Sequence, residues 1–534
     1  MPVREIDPII VTFGGGINSR RRPSDIDLNE CIEGTNFDLD PELLSFKKRA
    51  AFDLIGTAPN GGEIRGFGQC IKRDGSVTTI VQAGAVVYSW DHATTFTTVG
   101  VVGATARLRG PAEQNFTLDQ YVIVTDLEQS ATVKTWDGTT FADLTHNLTA
   151  TDFYARYCRV HRERAWFGNV KSGTDLPHMI VGSKLSDDNT LSISNRSSSV
   201  LVPDDPFYLL TPDLRPINGL EEAFGTFLVS SKRGRLFQIA GTTALDFDIK
   251  EFYTGSSVSG REAIANIGND IALGLPGRIE SLSGTINYGD VESDDLSLPI
   301  ANDIETITEW TLSYDRKKRI LFCFPEGRAA AYVFYKKLVD AQLRVSPWAK
   351  WTTGHSINFQ PSTVMPMIHP TTKEDLVYMG DSSGHIFLLN GTGGQDGGTD
   401  SVTADRLTGL IRGLPEGNTF DVEGWILYRK QFAATVTLTF EFAGEGIFDK
   451  ALTIYLPAGD SIDFYNGSGS NARYYGDPND ATAAFYGKEF SERIHRQKFG
   501  PPGLNAFFQL RIAVESSGTV DIQEVGLRLR SAQA

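Results

Sequence analysis

The stretch that decides the fold is TTIVQAGAVVYSW, residues 78–90. It contains a short apolar strand from Thr79 to Gln82, a glycine at Gly84, and a second strand from Val86 to Trp90. β-Branched and aromatic residues favour strands, and a glycine between two such runs supplies the positive φ that a tight hairpin turn requires. The stretch therefore predicts a β-hairpin.

The same unit returns along the chain, with first strands centred near residues 123, 166, 228, 272, 321 and 377. The mean spacing is about 50 residues, and a repeat of 40 to 50 residues with three or four strands is typical of a β-propeller blade. After Trp90 and Trp136 the chain continues into a further aromatic strand, as an outer blade strand would. Most of the turns contain a glycine: Gly84, Gly173, Gly234, Gly277, Gly327 and Gly384. We predict an all-β fold with a propeller of six to eight blades.

The flanking segments differ from this repeat. Residues 1–60 are irregular and predict an extended N-terminal arm, before a propeller over 61–392. A Gly-rich linker over 393–400 leads to longer alternating strands, which predict a C-terminal β-sandwich over 401–534. The sandwich contains an insertion over 458–503, which is either an arm that contacts a partner or a solvated loop.

Candidate interface residues lie in the two irregular segments. Arg20, Arg21 and Arg22 form a basic run in the arm that would suit an acidic partner surface, although a solvated loop is an equal alternative. The insertion is rich in tyrosine and arginine, residue types that protein interfaces favour. Its candidate contacts are Tyr474, Tyr475 and Tyr486.

Charge and composition exclude several classes of protein. The 534 residues include 50 basic and 66 acidic side chains, a net charge of −16, which argues against a surface built to grip nucleic-acid phosphates or anionic lipid. No apolar run is long enough for a transmembrane helix, and we expect no secretory signal, so assembly inside a cell is expected. The four cysteines are widely spaced and predict reduced core thiols.

Motifs for chemistry are incomplete. Gly14 to Gly16 lacks the GK[ST] of a phosphate-binding loop, and Asp25 to Asn29 lacks the later glycine and glutamate of a calcium loop. The sequence TWDGTTF, residues 135–141, is a single near match to the repeated aspartate box of propeller sialidases. The acidic run Asp290, Glu292, Asp294 and Asp295 could supply an acid and a base for glycoside hydrolysis, but a solvated loop is the simpler interpretation. We expect no catalytic residue, no cofactor and no metal ion.

Five segments carry a likeness to one known family. They are CIEGTNFDLDPELLSFKKRAAF (residues 31–52), WDGTTFADL (136–144), SVSGREAIANIGNDIALGLPGRIESLSG (257–284), SPWAKW (346–351) and the closing strands of 507–530. Together they resemble the β-propeller tail proteins of short-tailed bacteriophages, which are nozzle or hub proteins also known as phage stabilisation proteins. Ala50 and Ala51 stand where that family commonly has a glycine.

The resemblance implies a virion structural protein of the tail, not an enzyme, assembled in the host cytoplasm. Such a protein forms a homo-oligomeric ring, expected to be a hexamer, beneath the portal and adaptor proteins. It lines the conduit that retains the genome and releases it on DNA ejection, without sequence-specific binding to the viral DNA and without membrane insertion. Six copies would carry about 96 net negative charges, which would keep phosphates from adhering to the walls.

Two other functions fit the same architecture. The alternative is a glycan-binding or glycan-degrading β-propeller protein, against which the missing aspartate-box repeats and signal peptide weigh. An intracellular scaffold propeller would be expected to carry WD or kelch signatures. A ring favours the tail protein, whereas a monomer favours either of the others.

Overall fold

The computed structural model describes residues 9–40, 45–71, 74–184 (without 104, 107, 116–119, 145, 147–151 and 163), 204–285 (without 205, 224 and 261), 290–352, 361–389, 395–396, 400–411, 419–429, 434–442, 450–456, 490–499, 508–516 and 521–532. Strands dominate this part of the chain, as the all-β prediction requires. Its helices are short: α1 (Ala301–Ile304), α2 (Lys336–Asp340), and 3-10 turns at Pro23–Asp25 and Leu298–Ile300. None of the described helices has the length and apolar character needed to cross a membrane.

The strands fall into three groups along the chain. The N-terminal strands are β1 (Ile9–Thr12), β2 (Cys31–Thr35), β3 (Phe37–Leu39), β4 (Phe46–Lys48) and β5 (Asp53–Thr57). The central strands are β6 (Ile64–Ile71), β7 (Val77–Ala83), β8 (Val86–Trp90), β9 (Phe96–Val101), β10 (Leu108–Asn115), β11 (Gln120–Asp126), β12 (Lys134–Trp136), β13 (Phe141–Asp143), β14 (Tyr154–His161), β15 (Arg164–Ser172), β16 (Thr174–Gly182), β17 (Phe207–Leu210), β18 (Ile217–Ala223), β19 (Thr226–Ser231), β20 (Arg235–Ala240), β21 (Asp248–Thr254), β22 (Ile264–Asn266), β23 (Asp270–Leu275), β24 (Arg278–Thr285), β25 (Asp290–Asp295), β26 (Trp310–Asp315), β27 (Ile320–Pro325), β28 (Ala330–Tyr335), β29 (Trp348–Thr352), β30 (Pro361–Ile368), β31 (Asp375–Asp381) and β32 (His385–Leu388). The C-terminal strands are β33 (Gln395–Asp396), β34 (Asp400–Ser401), β35 (Thr403–Thr408), β36 (Thr419–Arg429), β37 (Ala434–Phe442), β38 (Lys450–Leu456), β39 (Phe490–Phe499), β40 (Phe508–Ser516) and β41 (Asp521–Ala532).

Seven four-stranded sheets follow one another along the described chain. The first six are β6-β7-β8-β9, β10-β11-β12-β13, β14-β15-β16-β17, β18-β19-β20-β21, β22-β23-β24-β25 and β26-β27-β28-β29, in which neighbours in sequence are neighbours in the sheet. The seventh has the order β30-β31-β32-β5. Its last strand, β5, comes from before the first sheet and pairs antiparallel with β32.

Each of the seven predicted hairpins is the second and third strand of one sheet. Residues 78–90 lie in β7, β8 and the turn between these two strands, which pair in register from Thr79 with Trp90 to Ala83 with Val86. The glycines predicted at these turns all have positive φ, between 57° for Gly84 and 85° for Gly384. The outer strands predicted after Trp90 and Trp136 are β9 and β13. Local pattern and turn chemistry therefore determine these elements.

The first strands of the sheets contact one another in a closed series. β6 contacts β10, and the series continues through β14, β18, β22, β26 and β30, which returns to β6. Ile64 and Phe67 of the first sheet share one hydrophobic cluster with Met367 and Tyr378 of the last. Consecutive antiparallel sheets arranged around a closed series of inner strands define a β-propeller.

The contacts divide the chain into two compact units, and their bounds differ from the predicted domains. One unit comprises Met1–Phe52, Tyr332–Ser356 and Asn390–Ala534, and the other comprises Asp53–Ala331 and Ile357–Leu389. The first unit contains the sheets β3-β4-β41-β36-β39, with β1 on β41, and β2-β35-β40-β37-β38. The N-terminal segment predicted as an arm thus supplies β1 to β4 to these sheets, because its apolar residues pair with C-terminal strands.

Two other predicted irregular segments also contain strands. The linker of 393–400 includes β33, which pairs with β34. The end of the insertion predicted over 458–503 is β39, which pairs with β36 from Phe420 with Phe499 to Arg429 with Phe490. In the described parts of both segments the backbone therefore pairs in a sheet, where composition alone indicates irregular structure.

Candidate functional site

The basic run predicted as an interface is exposed. Arg20, Arg21 and Arg22 are all exposed, immediately before the 3-10 turn Pro23–Asp25. The carbonyl oxygen of Pro23 accepts a hydrogen bond from the amide of Leu410 at 2.7 Å, which anchors the turn. The three guanidinium groups are therefore presented to solvent from a fixed segment. Their role in an interface stays a prediction.

The other interface candidates, Tyr474, Tyr475 and Tyr486, lie outside the described residues. Their role in contacting a partner also stays a prediction.

A buried ion pair fastens the predicted arm to the predicted linker. Arg49 is fully buried and makes a bidentate contact with Asp396, with Nη1–Oδ1 at 2.9 Å and Nη2–Oδ2 at 2.6 Å. Its Nε donates to Asn36 Oδ1 and its Nη2 donates to the Thr352 carbonyl, both at 3.0 Å. Its Cζ lies 4.1 Å from the ring centroid of Phe52. Partners surround this guanidinium on every side, which identifies its role as structural.

The segment 346–351 lies directly against the segment 31–52. The Asn36 amide donates to the Lys350 carbonyl at 2.7 Å, and the Trp351 indole donates to the Phe37 carbonyl at 3.0 Å. Trp351 is completely buried, so its indole hydrogen bond is formed away from water. Two of the segments that carry the family resemblance, about 300 residues apart in sequence, are thus neighbours in one core.

Two more cations are buried in the same unit. Arg406 donates from Nη1 to the Gly15 carbonyl at 3.0 Å, which links β35 to the N-terminal segment. Lys48 Nζ donates to the Ser516 carbonyl at 2.5 Å. Burial is the largest effect on Lys48 and, with the charge of Arg49, lowers its pKa to about 8. The two bonds therefore tie β35 and the end of β40 to the N-terminal segment.

A cavity of about 640 Å³ lies among the first strands of the sheets in the second unit, which comprises Asp53–Ala331 and Ile357–Leu389 and is called the propeller unit from here on. The third, fourth and fifth sheets contribute mainly polar side chains to it. The seventh and first sheets contribute mainly apolar ones, including Phe67, Ile71, Met365 and Met367. Its volume falls in the range of small-ligand pockets.

The polar wall of the cavity carries more carboxylates than cations. Arg159 Nη2 lies 3.2 Å from Glu221 Oε2. Burial lowers the pKa of Arg159, but the carboxylates of Glu221 and Glu262 outweigh burial and raise it overall. Glu222 reaches His161 Nδ1 at 3.2 Å with half of its own side chain exposed. Burial lowers the pKa of His161 although Glu222 opposes this, so the imidazole is neutral near pH 7.

Cations lie at the ends of the strands from the sixth and seventh sheets. Arg316 and Lys373 line the cavity there together with Asp375. Burial and the charge of Asp315 raise the pKa of Asp375, and Arg316 opposes them. Lys373 Nζ donates to the Gly75 carbonyl at 2.7 Å. The cavity is therefore acidic on one wall and mixed in charge at this end.

Sequence reasoning missed two buried histidines. His92 lies in the turn after β8, where its ring stacks on Trp90 at 4.5 Å and contacts Thr79 Oγ1 at 2.6 Å and the Tyr378 hydroxyl at 2.9 Å. His161 ends β14 and stacks on Phe227 at 5.6 Å. No motif marks either residue, because their surroundings come from neighbouring sheets.

The acidic residues considered for catalysis lie on β25, the outer strand of the fifth sheet, and not in a loop. Asp295 accepts hydrogen bonds from the amide and hydroxyl of Ser297, at 3.0 and 2.7 Å. Local turn formation therefore occupies this carboxylate.

The near match to an aspartate box also has a local structural role. Asp137 accepts hydrogen bonds from the amides of Thr139 and Thr140, at 2.8 and 2.6 Å, in the turn between β12 and β13. Asp91 makes the same kind of turn between β8 and β9 through Ala93 and Thr95. Turn formation accounts for both aspartates.

The described residues contain no group of three or more histidine, cysteine or acidic side chains placed to hold a metal ion. All four cysteines, Cys31, Cys70, Cys158 and Cys323, are free and buried, as the sequence predicts. Burial raises the pKa of the Cys323 thiol well above its usual value.

No family model matches the chain, and no curated protein matches it. Among solved structures, Saccharomyces cerevisiae Sqt1 is 12% identical, with 64% of this chain and 99% of that chain covered at a TM-score of 0.37. The WD40 domain of Toxoplasma gondii coronin is 9% identical (67% and 87% covered, TM-score 0.36). BBS1N, solved in complex with ARL6DN, is 9% identical (64% and 98% covered, TM-score 0.40). Scores this low carry no functional argument, and the propeller rests on the strand pairing of this chain.

Proposed function

We propose that this chain is a virion structural protein that forms the tail nozzle or hub of a short-tailed bacteriophage. In this proposal it assembles as a homo-oligomeric ring, expected to be a hexamer, beneath the portal and adaptor proteins. The ring is a conduit that retains the genome and guides its ejection. The proposal rests on the five resembling segments and on their placement in the fold.

The observation that carries the proposal is the contact between two of those segments. The Ser346 amide donates to Glu30 Oε1 at 2.5 Å, and Asn18 Nδ2 donates to Glu30 Oε2 at 2.7 Å. Glu30 adjoins residues 31–52, and the bonds from Asn36 and Trp351 add direct contacts between that segment and residues 346–351. The contact between two resembling segments supports the proposal, because both would be needed for the same part of the fold.

The finer architecture belongs to the same proposal. We infer that the seven four-stranded sheets are seven blades and that β5 closes the ring on the last blade. The two sheets of the other unit form a sandwich. Its support is the alternation of buried and half-buried side chains along β37 and β40, which is typical of strands with one face in a core.

Electron microscopy and native mass spectrometry of the full chain test the proposed assembly. We expect rings with an axial channel and a mass that is a whole multiple, expected to be six, of the 58.5 kDa chain. A monomer that stays monomeric with portal and adaptor proteins would contradict the proposal.

Substitution of the arginine run tests the interface candidates. Replacing Arg20, Arg21 and Arg22 by alanine should weaken ring formation, because it removes three exposed cations. The matched control replaces Lys232 and Arg233, which are exposed in the turn between β19 and β20. If the two variants assemble equally well, the arginine run is not part of the interface.

A further inference from the structure

The turn between β5 and β6 contains an asparagine followed by a glycine. Both residues, Asn60 and Gly61, are exposed. Gly61 has a φ of 60°, and a Cβ built on it would meet no atom within 4 Å beyond its chain neighbours. In such a pair the backbone nitrogen of the second residue can attack the side-chain amide carbon of the first. Glycine opposes this attack least, because it has no side chain to shield its nitrogen.

The hydrogen bonds of Asn60 prepare its amide for this reaction. The Gly62 amide donates to Asn60 Oδ1 at 3.1 Å. The ring that this bond closes includes the Gly61 nitrogen, so the side-chain carbonyl carbon is folded back toward the atom that would attack it. A donor at Oδ1 also stabilises the negative charge that develops on this oxygen during the attack. Asn60 Nδ2 donates to the Ala83 carbonyl at 2.8 Å, which holds the side chain in place.

One bond opposes the reaction. The Gly61 amide donates to the Ala58 carbonyl at 3.0 Å, and this bond must open before the nitrogen can attack. Exposed turns open at a low cost in free energy compared with the strands of a core. The bond therefore slows the reaction without preventing it.

Asn218 precedes a glycine in a different environment. It is 9% exposed and lies in β18, where its Nδ2 donates to the Val258 carbonyl at 2.8 Å. Its Oδ1 accepts a hydrogen bond from the Ser230 hydroxyl at 2.7 Å. Gly219 pairs with Ser230 in the ladder between β18 and β19. Attack by the Gly219 nitrogen would require this part of the strand to leave the sheet.

Asn266 has the hydrogen bonds of Asn60 without the glycine. Its Oδ1 accepts from the Gly268 amide at 2.9 Å, and its Nδ2 donates to the Glu222 carbonyl at 2.7 Å. The next residue is Ile267, which is 1% exposed. A buried β-branched side chain shields its own backbone nitrogen and restricts its movement. Of these three asparagines, Asn60 is the one that combines an exposed turn with a following glycine.

The position of Asn60 gives its modification a structural effect. The Ala58 amide donates to the Gly384 carbonyl at 2.8 Å, and β5 pairs with β32 in the seventh sheet. The bond from Asn60 to Ala83 connects the end of this strand to the first sheet. A carboxylate in place of the amide is acceptor-only, so it loses this bond and repels the Ala83 carbonyl oxygen. An isoaspartate also inserts one more carbon atom into the main chain between β5 and β6.

We propose that Asn60 is a site of spontaneous deamidation and that this modification loosens β5 from the first sheet. The Gly61 nitrogen loses its proton and forms a bond to Asn60 Cγ. The bond from Cγ to Nδ2 breaks, and Nδ2 leaves as ammonia with that proton. Water then opens the cyclic imide to aspartate or isoaspartate. This inference does not depend on the function proposed above.

Peptide mapping by mass spectrometry of the full chain, incubated in mildly alkaline buffer with and without urea, tests the modification. In urea we expect Asn60 and Asn218 to react at comparable rates, because both precede glycine, and Asn266 to react more slowly. In the folded chain Asn60 should react at least about tenfold faster than Asn218, whose strand must first open. The rate at Asn60 should rise with pH, because the attacking nitrogen must lose its proton. Peptides that contain Asn390 or Asn466, which precede glycines outside the described residues, are scored separately.

Three results would overturn the assignment. They are equal rates at Asn60 and Asn218 in the folded chain, a rate at Asn266 as high as that at Asn60, and a folded chain in which Asn60 stays intact while it reacts in urea. The first would show that the fold does not select the site. The second would show that the following glycine is not required, and the third that the turn protects the amide.

Hydrogen exchange of Asn60→Asp tests the effect on β5. The variant supplies the carboxylate directly, and amide exchange in Asp53–Thr57 should become about tenfold faster. Asn266→Asp is the matched control, since it makes the same chemical change in a turn with the same bonds and should leave exchange in β5 unaltered. Unchanged exchange in β5 of Asn60→Asp, or an equal increase in both variants, would contradict the proposed loosening.

Discussion

Arg49 and Asp396 are the residues whose loss should damage the first unit most. Arg49→Met leaves the Asp396 carboxylate buried without its cation, which typically costs about 3 to 5 kcal/mol in the free energy of unfolding. Arg235→Met removes the exposed pair with Glu251 and should cost less than about 1 kcal/mol. Urea unfolding of the two variants measures the difference, and similar costs would show that the buried pair is not critical.

His92 should make the propeller unit sensitive to acid. Burial, with the nearby His369, lowers its pKa from 6.5 to about 4, although Asp91 opposes them. Between pH 6.5 and pH 4 the unfolded chain binds a proton at His92 that the folded chain does not. The contribution of His92 to the free energy of unfolding is therefore complete above pH 6.5 and decreases as the pH falls toward 4. The loss amounts to about 3 kcal/mol.

Measurement of unfolding free energy against pH for His92→Asn tests this assignment. Asparagine tolerates the positive φ of 65° at this position. The variant should be less stable than the unaltered protein at pH 7, and the gap should narrow toward pH 4. His178→Asn serves as the control and should leave the slope unchanged. Parallel curves for the unaltered protein and the His92 variant would contradict the assignment.

The sequence pattern does not predict the ion pair between Arg49 and Asp396 in the first unit. Arg49 lies in a stretch that reads as an arm and Asp396 in one that reads as a linker, yet 347 residues of separation end in a direct contact. The charge and glycine content of a short stretch indicate only its local conformational preferences. The burial of both residues depends on strands that come from the other end of the chain.

At the scale of elements, close packing between sheets depends on particular glycines. A Cβ built at Gly380 of β31 would overlap the side chain of Ile64 on β6, where the last sheet meets the first. Gly380→Ala should therefore destabilise the propeller unit by about 1 to 3 kcal/mol through overpacking. Gly103→Ala is the control, since its nearest neighbour atoms, in Ser130, lie at 3.6 Å. Equal shifts in the thermal unfolding temperature of the two variants would show that the contact between the last sheet and the first is not tightly packed.

The seven hairpins could be predicted because each depends on residues within one short stretch. β7 and β8, for example, need only their own apolar alternation and the glycine turn between them. By contrast, β5 has too few residues to stand out, and its partner β32 lies more than 300 residues away. The N-terminal strands β1 to β4 went unrecognised for the same reason, because their partners in the first unit lie near the other end of the chain.

For the whole molecule, the domain bounds read from the sequence and those of the structure lead to different expectations for a fragment. Residues 401–534 alone lack β1 and β4, which pair with β41, β2, which pairs with β35, and β3, which pairs with β4. We expect this fragment to show no cooperative unfolding transition in circular dichroism and to be digested rapidly by protease. The full chain is the control. A fragment that unfolds cooperatively would show that the N-terminal strands are dispensable.

Much less of the candidate site could be predicted than of the fold. The carboxylates of Glu221 and Glu262 belong to no motif, and they act on Arg159 only because consecutive first strands lie side by side. A repeat pattern indicates that inner strands converge, but not which of their side chains face the centre. The charge and shape of the cavity therefore required the assembled sheets.

The pairing of β1 with β41 also sets the order in which the chain can be completed during synthesis. Ile9 faces Leu527, so β1 must wait for a partner strand that is synthesised more than 500 residues later. Translation proceeds at roughly 5 to 20 residues per second, and the early strands therefore stay without their partners for about half a minute or longer. Throughout that interval the nascent chain exposes unpaired strand edges, which makes the growing polypeptide a natural client for chaperones that shield such edges.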